Sequence, residues 1–232
     1  MLKKIMELIF ALAVLAGLLF AGDKVRMYVS VQQENVRRNL VVLDPGHGGR
    51  DPGKVGAQGE QEKDINLAIS LKVKERLEKD GMEVVMTREK DVMLADEDAS
   101  NKKLEDLNNR IRIINERQPA VAVSIHQNSY SDPGVKGAQV FYYEDSVEGK
   151  RLAECLQNAL IEQVDPENHR QAKGNTTYYL LKRTDAPLVI CECGFLSNPE
   201  EAELLTEKEY QEKVTDAVVS GVLEYLNASG GT

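Results

Sequence analysis

Cysteine is scarce in this chain, with three residues (Cys155, Cys191 and Cys193) in 232. A set that small and odd excludes a fold held by a disulfide framework. The paired C-x2-C spacing of a closed structural zinc site is also missing. Cys191 and Cys193 stand two apart in an apolar run, so both fall on one face of a strand and read as small buried hydrophobes. Basic surplus is absent: 29 Lys and Arg stand against 38 Asp and Glu, a net charge of −9. That balance excludes a nucleic-acid binder with a basic face. Repeats and low-complexity tracts are absent. Long apolar runs are nearly so. The longest, Leu8 to Ala21, holds 14 residues, against the roughly 20 of a typical membrane span.

That run follows Lys3 and Lys4 and has the length of a signal-peptide core. A cleavage site needs small residues at −3 and −1. Leu19/Ala21 and Phe20/Gly22 each put a bulky residue at −3. The expectation is an uncleaved membrane anchor over 1–22, with a cleaved signal as the alternative; both export the remainder. Residues 23–38 read as a polar tether with a short strand at Met27–Val31. A single domain over 39–228 follows, long enough for one real core, and then a small-residue tail, 229–232.

Within the domain, NLVVL (39–43) is a buried strand running into a glycine-rich loop that extends to Gly59. Ile65, Ala68, Ile69, Val73 and Leu77 recur at helical spacing over 62–79, and Asp80-Gly81 stops the helix. Strands are expected at 83–87, 120–126, 137–143 and 187–193, with a short one at 178–181. Helices are expected at 104–117 and 149–164, with one or two over 198–226. Strands alternating with amphipathic helices give an α/β class, one mainly parallel twisted sheet with helices on both faces.

Ligands of such sheets bind beyond the carboxyl ends of the strands. The chain has three histidines, and two of them, His47 and His126, fall at such ends. Glu192 lies near the end of another strand, and Glu62 opens the first helix directly after the loop that carries His47. Two imidazoles and a carboxylate with one position left open make a catalytic zinc site. His47, Glu62 and His126 are therefore assigned as ligands and Glu192 as general base. Each has a plainer reading when taken singly. His47 is a loop histidine, His126 a half-buried strand-end residue, and Glu62 an acid favoured by the helix dipole, with Glu60 competing two residues upstream. Glu192 interrupts an apolar strand, where a carboxylate is costly unless paired or functional. Asp44 either orients His47 or sets the turn. Arg88 and Arg110 read as salt-bridge partners before substrate binders, His169 as solvent-exposed, and the acidic run Glu200–Glu212 as a solvated helix face.

Four segments carry a resemblance: VVLDPGHGGRDPG (41–53), QEKDINLA (61–68), SIHQN (124–128) and PLVICECGFLSNPEEAELL (187–205). In order and content the chain resembles, from Leu40 to Tyr225, the zinc-dependent N-acetylmuramoyl-L-alanine amidases of the amidase type 3 family. The resemblance implies zinc on His47, Glu62 and His126, choosing Glu62 over Glu60, and a catalytic role for Glu192. It further implies hydrolysis of the amide between the lactyl group of N-acetylmuramic acid and L-alanine in peptidoglycan. CECGF departs from the family's valine-rich segment, which bears on strand packing and not on chemistry. The short connection Glu144–Glu148 has no room for the inhibitory helix of some cell-division amidases. The chain is most similar in style to the germination-specific amidases. That implies a sporulating bacterium and cortex maturation toward muramic-δ-lactam; the anchor over 1–22 puts the domain at the outer face of the cytoplasmic membrane, and an accessory protein is left open as a partner. A non-catalytic peptidoglycan-binding module and a 2-His-1-carboxylate iron oxygenase are the competing readings.

Overall fold

The computed structural model describes Met6, Phe20, Lys24 and residues 38–229. The rest of the expected anchor and tether, the 27–31 strand and residues 230–232 lie outside the described residues. Among the described residues, no helix is long and apolar enough to cross a membrane.

Six strands form one sheet: β1 (Leu40–Pro45), β2 (Glu83–Met86), β3 (Val121–Asn128), β4 (Gln139–Tyr143), β5 (Lys173–Asn175) and β6 (Leu188–Phe195). Their order is β2-β1-β3-β6-β4-β5. The β2, β1, β3 and β6 strands are mutually parallel. β4 runs antiparallel to β6, and β5 follows β4. The helices are α1 (Glu62–Lys79), α2 (Lys102–Arg117), α3 (Val147–Gln163), α4 (Tyr179–Arg183), α5 (Pro199–Thr206) and α6 (Lys208–Ser229).

The first halves of the central strands β1, β3 and β6 are apolar because both faces are covered there. Alternation sorts their side chains. Val41, Leu43, Val123, Val189 and Cys191 join Ile69, Leu77, Leu156 and Val218 in the core beneath α1, α3 and α6. Val42, Ala122, Leu188 and Ile190 meet Ile114 of α2 and Leu180 of α4 in a smaller core on the opposite face. Glu192 follows Leu188 and Ile190 at the same alternation, so it belongs to that second face, at the carboxyl end of β6. The apolar stripe of α1 is seated over the sheet as its spacing requires.

Two expectations are corrected. The 178–181 strand is instead the short helix α4. Asn175 Oδ1 accepts from the backbone N–H groups of Thr177 and Tyr178, both at 2.7 Å, a turn that redirects the chain before a strand can start. The acidic run at 200–212 is not wholly solvated. Glu201 is buried and accepts from Gly137 N at 3.0 Å and Phe195 N at 2.8 Å, tying α5 to β6 and to the entry of β4.

The helices α3 and α6 meet closely at Gly221, where an added Cβ would lie 2.7 Å from Leu156 Cα and 2.9 Å from Leu156 N. Both obstacles are backbone and cannot rotate away. Gly221→Val is expected to destabilise the domain by about 2 kcal/mol, read as a lower denaturant midpoint; an unchanged midpoint would show that the two helices separate freely.

Candidate metal centre and active site

The site begins where β1 ends. Asp44 is buried beneath the following loop and accepts from Thr87 Oγ1 (2.6 Å), Ser124 Oγ (2.6 Å) and Arg110 (2.6 Å). No hydrogen bond joins it to the His47 ring, and its partners are instead two hydroxyls and a guanidinium. Arg110 also binds Asp106 at 2.7 Å and donates to Pro45 O at 2.8 Å and His47 O at 2.6 Å. Arg88 donates to Pro45 O, Gly46 O, Lys63 O and Lys90 O. Both arginines are buried; Arg110 pairs with carboxylates as expected, whereas Arg88 binds four backbone carbonyls in place of the expected salt bridge. Their grip fixes His47 at φ 62°, a left-handed conformation a non-glycine residue rarely adopts.

So held, His47 turns Nδ1 to Asp51 Oδ2 at 3.0 Å and Nε2 to Glu62 Oε2 at 3.1 Å. Glu62, 3% exposed at the start of α1, presents its other oxygen to His126 Nδ1 at 2.9 Å. Backbone N–H groups of Lys54 (2.7 Å) and Gln127 (3.1 Å) fix the carboxylate. The two imidazoles stand nearly perpendicular, with centroids 5.0 Å apart. One ligand atom each from His47, Glu62 and His126 falls within 4.8 Å of the others. Glycine makes this convergence possible. A Cβ on Gly46 would sit 2.2 Å from the His126 ring, and one on Gly53 would sit 2.4 Å from Glu62 Oε2 and 2.6 Å from His47 Cδ2.

Burial disfavours a charged Glu62, but hydrogen bonds and charge from His126 and His47 hold its carboxyl well below the usual range. Burial likewise works against a charged His47, and Glu62 and Asp51 outweigh it to raise the ring's pKa. Glu192 is different. It pairs in register with His126 on the neighbouring strand, is 8% exposed, and its Oε2 has no hydrogen-bond partner. Burial pushes its carboxyl up to about 7, with the Glu62 charge adding to this and His126 opposing it.

A cleft of about 340 Å³ opens over these groups, with Leu107, Tyr178, Leu180 and Ile190 as its apolar wall. The four residues expected at the site are thus brought together. Glu60 accepts instead from Gln58 N in the loop, and His169 is exposed. Asp51 was missed from sequence. Its signal was a second Asp-Pro-Gly one helical turn's length after His47, readable as a turn and equally as a histidine acceptor.

Residues 41–224 match the protein family described as N-acetylmuramoyl-L-alanine amidase. The chain belongs to that family. This amidase is therefore a hydrolase of cell-wall peptidoglycan. It is 38% identical over 194 residues to the germination-specific N-acetylmuramoyl-L-alanine amidase of Bacillus subtilis strain 168, covering 82% of this chain and 81% of that one. The CwlD amidase of Clostridioides difficile, solved in complex with the GerS lipoprotein, is 42% identical with a TM-score of 0.79, covering 82% and 99%. An N-acetylmuramoyl-L-alanine amidase of Clostridium difficile 630 is 29% identical with a TM-score of 0.74, covering 84% and 100%.

Burial opposes ionisation of Asp44, and the Arg110 charge with the Ser124 and Thr87 hydroxyls overcomes it, holding the carboxyl at about 2 against an ordinary 3.8. A depressed carboxyl stabilises the fold fully above pH ~4, by about 2 kcal/mol, and that contribution is lost as pH falls toward ~2. Arg110→Met leaves this carboxylate buried without its counter-charge. The expected cost is about 3–5 kcal/mol at neutral pH, shrinking at pH ~4 as Asp44 takes up a proton; a pH-independent deficit in denaturation would contradict the pairing.

Proposed function

We propose that this amidase is zinc-dependent, with His47, Glu62 and His126 holding the ion and Glu192 as the catalytic acid–base. It hydrolyses the amide between N-acetylmuramic acid and L-alanine. The observation that carries the reading is the convergence of three donor groups beside a buried, unpartnered carboxylate in an open cleft. The donor set fits zinc, which takes mixed nitrogen and oxygen ligands in catalytic sites of three protein residues. A zinc ion bound there supplies Lewis acidity toward a carbonyl and a water of lowered pKa.

The chain's own residues do the rest. Asp51 accepts from His47 Nδ1 and so keeps Nε2 facing Glu62, the outer carboxylate that orients a metal-binding imidazole. Burial raises Glu192 far above an ordinary carboxyl, so near neutral pH it accepts a proton from the attacking water and later releases it to the departing nitrogen. Water adds to the lactyl carbonyl carbon, the C–N bond breaks, and the products are a lactyl carboxylate and a free alanine amine. Leu107, Leu180 and Ile190 keep one side of the cleft dry.

The likeness to a germination-specific relative supports a role in spore-cortex maturation, with stem removal preceding muramic-δ-lactam formation. The relative solved with a lipoprotein supports an accessory protein as partner. The apolar run after Lys3 and Lys4 supports export, with 1–22 as an anchor to the outer face of the membrane, 23–38 as tether and 39–228 as the catalytic domain.

Purified peptidoglycan treated with the full chain should yield new alanine amino termini, read by mass spectrometry. Glu192→Gln should keep its zinc and lose roughly 10²–10⁴-fold in kcat. Retained activity would sink the acid–base assignment, and intact binding of peptidoglycan without cleavage by the unaltered chain would make it a binding module. Asp51→Ala should weaken zinc affinity by roughly 10–100-fold, measured by competition with a chelator.

A further inference from the structure

The first turn of α2 carries two lysines, Lys102 and Lys103, at the end where the helix dipole disfavours a cation. Helix stability does not account for them. Lys102 donates to Glu97 O in the preceding loop. Lys103 lines the cleft instead. Its side chain is 74% exposed, and Asp51 Oδ2 lies 3.6 Å from its ammonium, too far for a hydrogen bond. The cleft's other cation, Arg110, is 2% exposed and fully engaged by Asp44, Asp106 and two carbonyls. Among the described residues lining the cleft, Lys103 is the one solvent-facing cation. The same Asp51 oxygen binds His47 Nδ1, which puts this ammonium two contacts from the His47 ring.

We infer that Lys103 is the subsite for a free carboxylate on the stem peptide, on the residue just beyond the alanine whose amide is cut, taken with the amidase reading on which this rests. That residue of a peptidoglycan stem is a glutamate linked through its side chain, so its α-carboxyl is either free or amidated. Consecutive Cα atoms lie about 3.8 Å apart, so the group falls within a few ångströms of the scissile bond. A flexible four-carbon arm reaches that distance. The apolar wall at Leu107, Leu180 and Ile190 suits the alanine methyl, and the cation at the rim suits the acid that follows it. Asp51 holds the ammonium only loosely, so an incoming carboxylate meets it in water and needs no buried pair to be broken. The consequence is selectivity: stems with the acid are favoured over stems with the carboxamide.

The experiment uses the full chain and two synthetic muropeptides that differ only in acid or carboxamide at the second stem residue. Cleavage of either one tests the amidase reading, and the ratio of their kcat/KM values tests Lys103. The unaltered chain is expected to favour the acid by roughly fivefold to tenfold, the range of a solvent-facing charge-assisted contact. Lys103→Met should bring the ratio near one by raising KM for the acid alone, and Lys103→Arg should restore the preference. No preference in the unaltered chain overturns the inference. So does an equal loss on both substrates in Lys103→Met, which would make Lys103 a brace for Asp51. If neither muropeptide is cleaved, the amidase reading fails, and calorimetric binding of the acid and carboxamide stem peptides to Glu192→Gln reads the same ratio, with equal affinities overturning it.

Discussion

One buried guanidinium holds the active end of this molecule together. Arg110 reaches from α2 to Asp44 inside β1 and to the carbonyls of Pro45 and His47 beyond it. Isolated in a protein interior it would cost several kcal/mol. Surrounded by two carboxylates and two carbonyls, it becomes the point at which the second helical layer is fastened to the strand. Burial would weaken its hold on a proton, but the charges of Asp44 and Asp106 more than reverse this, so it stays a cation under all folded conditions. The left-handed backbone at His47 persists because the carbonyl next to it has nowhere else to go. An imidazole needed at an angle an ordinary loop would not give is locked there by a contact to its own main chain.

From that constraint the remaining geometry follows with few free choices. Fixing His47 fixes where Glu62 must end, and Glu62 is held independently by two backbone N–H groups from separate segments. Asn66, one turn further along α1, donates to Gly46 O and accepts from Gln127, so the same helix braces the loop and β3 at once. These interlocking contacts are polar and buried together, an arrangement that is unforgiving if half-made and rigid when complete. Among the buried acids of the described residues, Glu192 stands apart because its Oε2 has no hydrogen-bond partner.

Much of this was legible in the sequence where the signal was repetitive. The α1 stripe from Ile65 to Leu77 repeats one period often enough to be read, and the apolar runs that open β1, β3 and β6 are readable as buried strands. The site was legible for the opposite reason, rarity: few histidines, placed at strand ends, and an acid inside an otherwise apolar strand. What stayed hidden were features set by one local hydrogen bond or by distant partners. β5 is Lys-Gly-Asn, with no pattern of its own, and exists because β4 offers it an edge. α4 follows from an asparagine side chain that seizes two backbone groups. Glu201 looks like any acid in a charged run until the fold brings Gly137 and Phe195 to it. Asp51, not the neighbouring Asp44, meets His47, because alternation in β1 turns Asp44 under the loop.

The central position of β6 has a consequence for how the enzyme comes into being. β6 is the last strand to be made, yet it lies between β3 and β4 in the finished sheet. It also brings Glu192 alongside His126. A nascent chain that has emerged only through β4 therefore lacks both the strand that joins β3 to β4 and the acid that stands across from His126. Completing the sheet and setting Glu192 beside His126 are therefore one event, and it waits for the strand that is made last.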